Sequence, residues 1–153
     1  MTPNKEDYLK CIYEIGTEEG KITNKEIANR MEVSPPAVTE MIKKLISEDL
    51  IVKDKHKGYL LTETGTINVA ELYRKHRLIE VFLVDHLQYS CDQIHQEAEI
   101  LEHTVSDHFI DALERLLNYP QTCPHGGQIP KSGQLIEEFY NQTFTRPNTR
   151  SYC

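Results

Sequence analysis

A mainly α-helical fold built in two parts is predicted by three observations. Apolar residues recur at helical spacing along most of the chain. One short segment, "LIVKDKHKGYLLTETG", instead has β-prone ends around a charged turn containing a glycine, which is the pattern of a hairpin. The charge is also divided. The chain is −7 overall, and within residues 91–120 the acids Asp92, Glu97, Glu99, Glu102, Asp107, Asp111 and Glu114 stand against one base, Arg115. By contrast, "KDKHKG" at residues 53–58 carries three lysines and a histidine against one aspartate.

The first helix is expected in "TPNKEDYLKCIYEIG", with Thr2 as N-cap, Pro3 in the first turn, Tyr8, Leu9, Ile12, Tyr13 and Ile15 inward, and Gly16 and Gly20 bounding its end. "ITNKEIANRMEV" supplies a short second helix, with Ile27, Ala28 and Met31 inward. "SPPAVTEMIKKLISEDL" supplies a third, capped by Ser34, with Pro35 or Pro36 in its first turn and Val38, Met41, Ile42, Leu45 and Ile46 apolar. Three helices with a brief turn before the third, followed by a two-stranded ribbon, is the order of a winged helix-turn-helix, whose third helix enters the DNA major groove. The candidate DNA-facing residues are then Ser34, Pro35, Pro36, Thr39, Glu40, Lys43 and Lys44 on that helix. Lys53, Lys55 and Lys57 on the ribbon suit the adjacent phosphates.

A long helix is expected from residue 64 to about 87, with His76 and Glu80 one turn apart on one face. "IHQEAEILEH" follows. Measured from His95 on a helical wheel, Glu99, Glu102 and His103 fall within an arc of ~100°, beside an apolar stripe of Ile94, Ala98, Leu101 and Val105. Side chains at the edge of a buried face can meet partners from other helices, so this arc is a candidate ligand site. "SDHFIDALERLL" gives another short helix with Phe109, Ile110, Leu113, Leu116 and Leu117 apolar, and "CPHGGQIP" is an irregular loop offering Cys123 and His125. One further short helix is expected in "SGQLIEEFYNQTFTRPNTRSYC" before the chain frays. The organisation predicted is a DNA-binding domain at 1–63, a helical metal-sensing and dimerisation domain at 64–140, and a disordered tail at 141–153.

At 153 residues, with 39 % apolar and 27 % charged positions, the composition is that of an ordinary globular protein. No apolar run is long enough to span a bilayer, and "MTPNKEDYLK" lacks the order of a secretory signal, so no membrane partner and a cytoplasmic location are expected. Cys11, Cys91, Cys123 and Cys153 show no CxxC spacing, in keeping with a reducing compartment. Cys11 and Cys91 read as small buried hydrophobes and Cys153 as part of the disordered terminus. His56, His86 and His108 read as ordinary surface or hydrogen-bonded histidines. His95 is intermediate, sharing the ligand arc without an assigned role. HExxH is absent, Glu99 stands where HxxEH requires its first histidine, and no nucleophile elbow or phosphate-cradling loop is present, so no enzyme is predicted.

"EDYLKCIYEI", "VSPPAVTEMIKKL", "YRKHRLIEVFL", "EAEILEH" and "CPHG", in that order over roughly residues 2 to 140, resemble the diphtheria-toxin-repressor family of metal-dependent transcriptional regulators, and within it the manganese-responsive repressors of the streptococcal type. The resemblance implies a primary metal site of Asp7, His76, Glu99, Glu102 and His103, and a second site of Glu80, Cys123 and His125. Carboxylates and imidazoles favour hard or borderline ions, Mn²⁺ or Fe²⁺. Relatives that sense iron carry a thioether where Asp7 stands, which tilts the choice to Mn²⁺. Lys10 stands where some manganese regulators carry a glutamate, and the chain stops at Cys153 without the small SH3-like domain of longer members. The resemblance further implies a homodimeric repressor of metal-uptake genes, acting on a palindromic double-stranded operator through a dimer contact around residues 105–117. The alternative from the residues alone is a winged-helix regulator responding to an organic ligand.

Overall fold

The computed structural model describes residues 4–133 and 153. Thr2, Pro3 and the expected tail helix lie outside the described residues. The chain divides into two compact units, Met1–Val69 and Ala70–Cys153.

In the first unit, α1 (Lys5–Glu18), α2 (Asn24–Met31) and α3 (Pro35–Ser47) precede the antiparallel pair β1 (Ile51–Asp54) and β2 (Gly58–Leu61). The N-cap of α1 is Asn4, not Thr2. Asn4 Oδ1 accepts the Asp7 N–H at 3.1 Å while Asp7 Oδ2 accepts the Asn4 N–H at 3.2 Å, a reciprocal capping box. The helix also runs through Gly16 and stops at Glu18, with Gly20 just beyond it at φ +78°. Thr23 caps α2, and Ser34 caps α3 with its oxygen 3.3 Å from the Ala37 nitrogen and prolines in the first turn. Tyr8, Leu9, Ile12, Ile15, Ile27, Val38, Ile42, Leu45 and Ile51 form the buried interior.

The hairpin is tied to its own unit at the turn. Asp54 Oδ2 accepts the backbone N–H groups of Lys57 (2.7 Å) and His56 (3.0 Å), and these hold its carboxyl below the usual aspartate range. The Ile22 N–H donates to the Lys57 carbonyl at 2.8 Å, and the Tyr59 hydroxyl donates to Asn24 at 2.6 Å. Gly58 sits at φ +82°, and a Cβ there would lie 2.0 Å from the Ile22 carbonyl oxygen. Gly58→Ala should therefore cost about 1–3 kcal/mol through the left-handed backbone alone, with the collision added to it. Equilibrium unfolding checks this, and a variant as stable as the parent contradicts it.

Helix α4 (Glu63–Asp85), α5 (Ile94–Leu101) and α6 (Asp107–Leu116) follow. In the second unit Leu78, Ile79, Val81, Leu83, Ile94, Ala98, Ile110, Leu113, Cys123 and Ile129 pack as one core, with Leu101 and Val105 against it. The apolar stripe expected on α5 is thus the face that is buried. The helix ends at Leu101, so Glu102 caps it and His103 lies in the following turn.

Two cysteine expectations are corrected. Cys91 and Cys153 form a disulfide, so Cys91 is not simply a small hydrophobe and Cys153 is held. A pairing across 62 residues leaves no local spacing for a sequence pattern to register. Cys11 and Cys123 are free and buried.

Candidate metal centre and nucleic-acid face

The ligand-type side chains of the second unit gather around His76 and Glu80 on α4. Both are buried, although isolated ionisable groups are rarely taken out of water. His76 Nδ1 lies 2.8 Å from Glu102 Oε2, and its Nε2 lies 3.4 Å from Glu80 Oε2. The same Glu80 oxygen is 3.3 Å from His125 Nδ1 and 4.0 Å from His95 Nδ1. Three ring nitrogens therefore converge on Glu80 Oε2 at ion-pair distance, yet this buried atom accepts no hydrogen bond from any of them. The arrangement fits a divalent cation, which needs several donors pointing at one place and no proton between them.

Two ligand triplets share Glu80. His76, Glu80 and His95 place one donor atom each within 4.8 Å of one another, and so do Glu80, Cys123 and His125. The second is the set expected from sequence. The first brings in His95, whose only sequence signal was its place on the ligand arc with Glu99, one turn on. Those two side chains do meet, His95 Nε2 to Glu99 Oε1 at 3.0 Å. His103 Nε2 lies 3.5 Å from Glu102 Oε1, so Glu102 joins His103 to His76. Asp7 belongs to the first unit, at the third position of α1. His76 thus borders both expected sets.

Burial disfavours the charged His76 ring, but the Glu102 and Glu80 carboxylates outweigh it and hold its pKa above the ordinary value of 6.5. Burial likewise raises Glu80, but the His76 ring, with His125 and His95 beyond it, holds that carboxyl below 4.5. A raised histidine stabilises the fold fully below 6.5 and loses that contribution as pH rises through its folded value. A depressed glutamate stabilises above 4.5 and loses its contribution as pH falls through its folded value. The metal-free protein should therefore gain most from this pair between 4.5 and 6.5. Melting curves against pH should show stability declining above that window in parent protein and no such decline in His76→Asn. Parallel profiles in the two proteins would contradict it.

The side chains expected to face DNA lie on the first unit. Ser34, Pro35, Pro36, Thr39, Glu40, Lys43 and Lys44 are all exposed on α3, as are Lys53, Lys55 and Lys57 on the hairpin. Between them opens a groove of about 690 Å³, walled by Lys43 and Lys53 and lined by Ile42, Ile46 and Val52. Cations at the rim of a concave surface suit a phosphate backbone.

The fold and site define a winged-helix protein carrying a helical module of metal-ligand side chains. Residues 1–59 match the iron dependent repressor N-terminal DNA binding domain, and residues 62–131 match the iron dependent repressor metal binding and dimerisation domain. The chain belongs to the iron-dependent repressor family, and it is similar throughout to the HTH-type transcriptional regulator MntR of Bacillus subtilis (strain 168), with 32 % identity over 92 % of this chain and 99 % of that protein. Among solved structures, the manganese regulator SloR is 64 % identical over 88 % of this chain and 63 % of its own, with a TM-score of 0.78. ScaR with bound Zn²⁺ is 68 % identical over 87 % of this chain and 62 % of its own, with a TM-score of 0.82. The chain thus spans less than two thirds of these two solved relatives.

Proposed function

We propose that the protein is a manganese-dependent transcriptional repressor, with Fe²⁺ as the alternative ion, that binds a palindromic operator as a homodimer and controls metal-uptake genes. The buried Glu80 oxygen facing three imidazoles without a hydrogen bond is the observation that carries it. The likeness to SloR, a manganese regulator, and the DNA-binding and metal-binding domains that match this chain support the same conclusion. The primary ion is assigned to Asp7, His76, Glu99, Glu102 and His103, and the second to Glu80, Cys123 and His125. Ser34, Thr39 and Glu40 read base edges, while Lys43, Lys44, Lys55 and Lys57 hold phosphates. Such a repressor works at the chromosome, in the cytoplasm. Among the described residues no helix is long and apolar enough to cross a membrane.

The test is an operator titration in Mn²⁺, Fe²⁺, Zn²⁺ and chelator. Binding that persists unchanged in chelator removes the metal-dependent reading. Lys43→Ala/Lys44→Ala should lower affinity on every sequence and flatten the salt dependence, leaving metal affinity intact.

The dimer contact is assigned to the region of α6. Phe109 and Leu116, seven residues apart and so on one face, are 47 % and 61 % exposed, which is unusual for large apolar side chains with no partner. Phe109→Asp/Leu116→Asp should convert the protein to a monomer at micromolar concentration by sedimentation, whereas an unchanged dimer places the contact elsewhere.

A further inference from the structure

The residues that hold the Cys123–His125 arm in place are not themselves metal ligands, and one of them stands out. Residues 121–129 contain no helix, so their ligands owe their positions to backbone bonds and to whatever fastens the loop to a rigid element. The loop closes on itself: the Cys123 N–H donates to the Gly127 carbonyl at 2.8 Å, the Ile129 N–H to the Gln121 carbonyl at 2.8 Å, and the Gly127 N–H to Cys123 Sγ at 3.3 Å. Arg77 reaches this loop from α4. It lies three residues before Glu80, its Nη1 donates to the Gln128 carbonyl at 2.5 Å, and its guanidinium carbon sits 4.7 Å from the centre of the Tyr73 ring one turn earlier. Stacking on an aromatic face fixes the plane of a guanidinium. A Cβ on Gly127 would lie 3.0 Å from Arg77 Nε, 3.2 Å from its Cζ and 3.3 Å from Cys123 Sγ, so a side chain there would press the clamp and the thiol apart.

We propose that Arg77 is a positioning residue for the second metal set. Stacked on Tyr73 and bonded to the Gln128 carbonyl, it fastens the loop bearing Cys123 and His125 to the helix that carries Glu80, and Gly127 is the residue whose smallness lets it do so. This rests on the assignment of Glu80, Cys123 and His125 as a metal set. Residues that orient ligands from outside the coordination sphere typically change metal affinity by about 10- to 100-fold when removed.

The test uses the full chain and Cd²⁺, a soft ion whose bond to a thiolate gives an ultraviolet charge-transfer band. The parent should develop the band on titration and Cys123→Ser should not. Arg77→Met and Gly127→Ala should move the midpoint of the band to roughly 10- to 100-fold higher Cd²⁺. Arg77→Lys keeps a donor for the Gln128 carbonyl and should stay within a few-fold of the parent, a rescue that loss of general stability does not predict. Should Arg77→Met fail to fold, Gly127→Ala carries the comparison, because it deletes no contact. A folded Arg77→Met or Gly127→Ala with the parent's midpoint overturns the proposal. A parent without a band that depends on Cys123 overturns the second-set assignment, and this inference with it.

Discussion

Saturating Mn²⁺ should raise the melting temperature of the parent protein, and Glu99→Ala or His103→Ala should abolish most of that rise. An ion bound by the proposed primary ligands would stabilise only the folded state, so removing a ligand should remove the gain. An ion at a hundred times its dissociation constant stabilises the folded state by about 2.7 kcal/mol. The proposed coupling to DNA follows from the same ligands: Asp7 lies on α1, the helix packed with α2 and α3 in the DNA-binding unit, while Glu99, Glu102 and His103 lie around the end of α5. If the proposed primary ion takes these four ligands together with His76, operator affinity should change with metal on the order of 5- to 150-fold. Asp7→Met should weaken the response to Mn²⁺ relative to Fe²⁺, because a soft sulfur replaces a hard oxygen. Equal thermal shifts in parent, Glu99→Ala and His103→Ala would exclude the proposed primary site.

The elements that the sequence revealed are those whose signals are local. Ser34 followed by Pro35 and Pro36 can hardly be read except as the start of a helix, and that cap lies where expected, with Thr39, Glu40, Lys43 and Lys44 exposed. The buried stripe of α5 follows equally from spacing, since Ile94 and Ala98 are one turn apart. What escaped depends on encounters between distant segments. His95 shares the ligand arc in sequence but gains partners outside its own helix only when α4 brings His76 within 4.8 Å of its ring centre and Glu80 within 4.0 Å of its Nδ1. The clamp from Arg77 to Gln128 spans 51 residues and uses a carbonyl, a group every residue carries. The exchange of Thr2 for Asn4 as the first cap is of another kind: both types cap well, and Asp7 three residues on decides for Asn4 by completing the reciprocal pair.

Arg74 was likewise silent in sequence, one base among several on a long helix, and its replacement should be among the most damaging changes in the second unit. The side chain is 1 % exposed. Its Nη2 lies 2.8 Å from Asp111 and 3.1 Å from Glu114 on α6, and its Nη1 lies 2.8 Å from Glu71 on its own helix, so a single guanidinium joins α4 to α6 through two carboxylates and is braced by a third. Burial opposes its charge, but Asp111 and Glu114 outweigh burial and hold it above the ordinary arginine range. Removing one partner of a buried ion pair costs about 3–5 kcal/mol, because the groups left behind keep their charge without compensation. Asp111 is 60 % exposed and returns to water, and Glu71 and Glu114, at 24 % and 19 %, keep some access to it, which places Arg74→Met near the lower end, at about 3 kcal/mol. For a unit of this size that is a fall in melting temperature on the order of 10 °C or more. The acids themselves supply the control. If the damage comes from uncompensated carboxylates, Arg74→Met/Glu71→Gln/Glu114→Gln should recover a large part of the lost stability, as neighbouring charges do not add independently. If the damage is only a lost methylene packing, the triple variant should be no better than Arg74→Met. Chemical denaturation of the metal-free protein separates the two, and an Arg74→Met variant within about 1 kcal/mol of the parent would show that the ion-pair cluster does not hold α4 and α6 together.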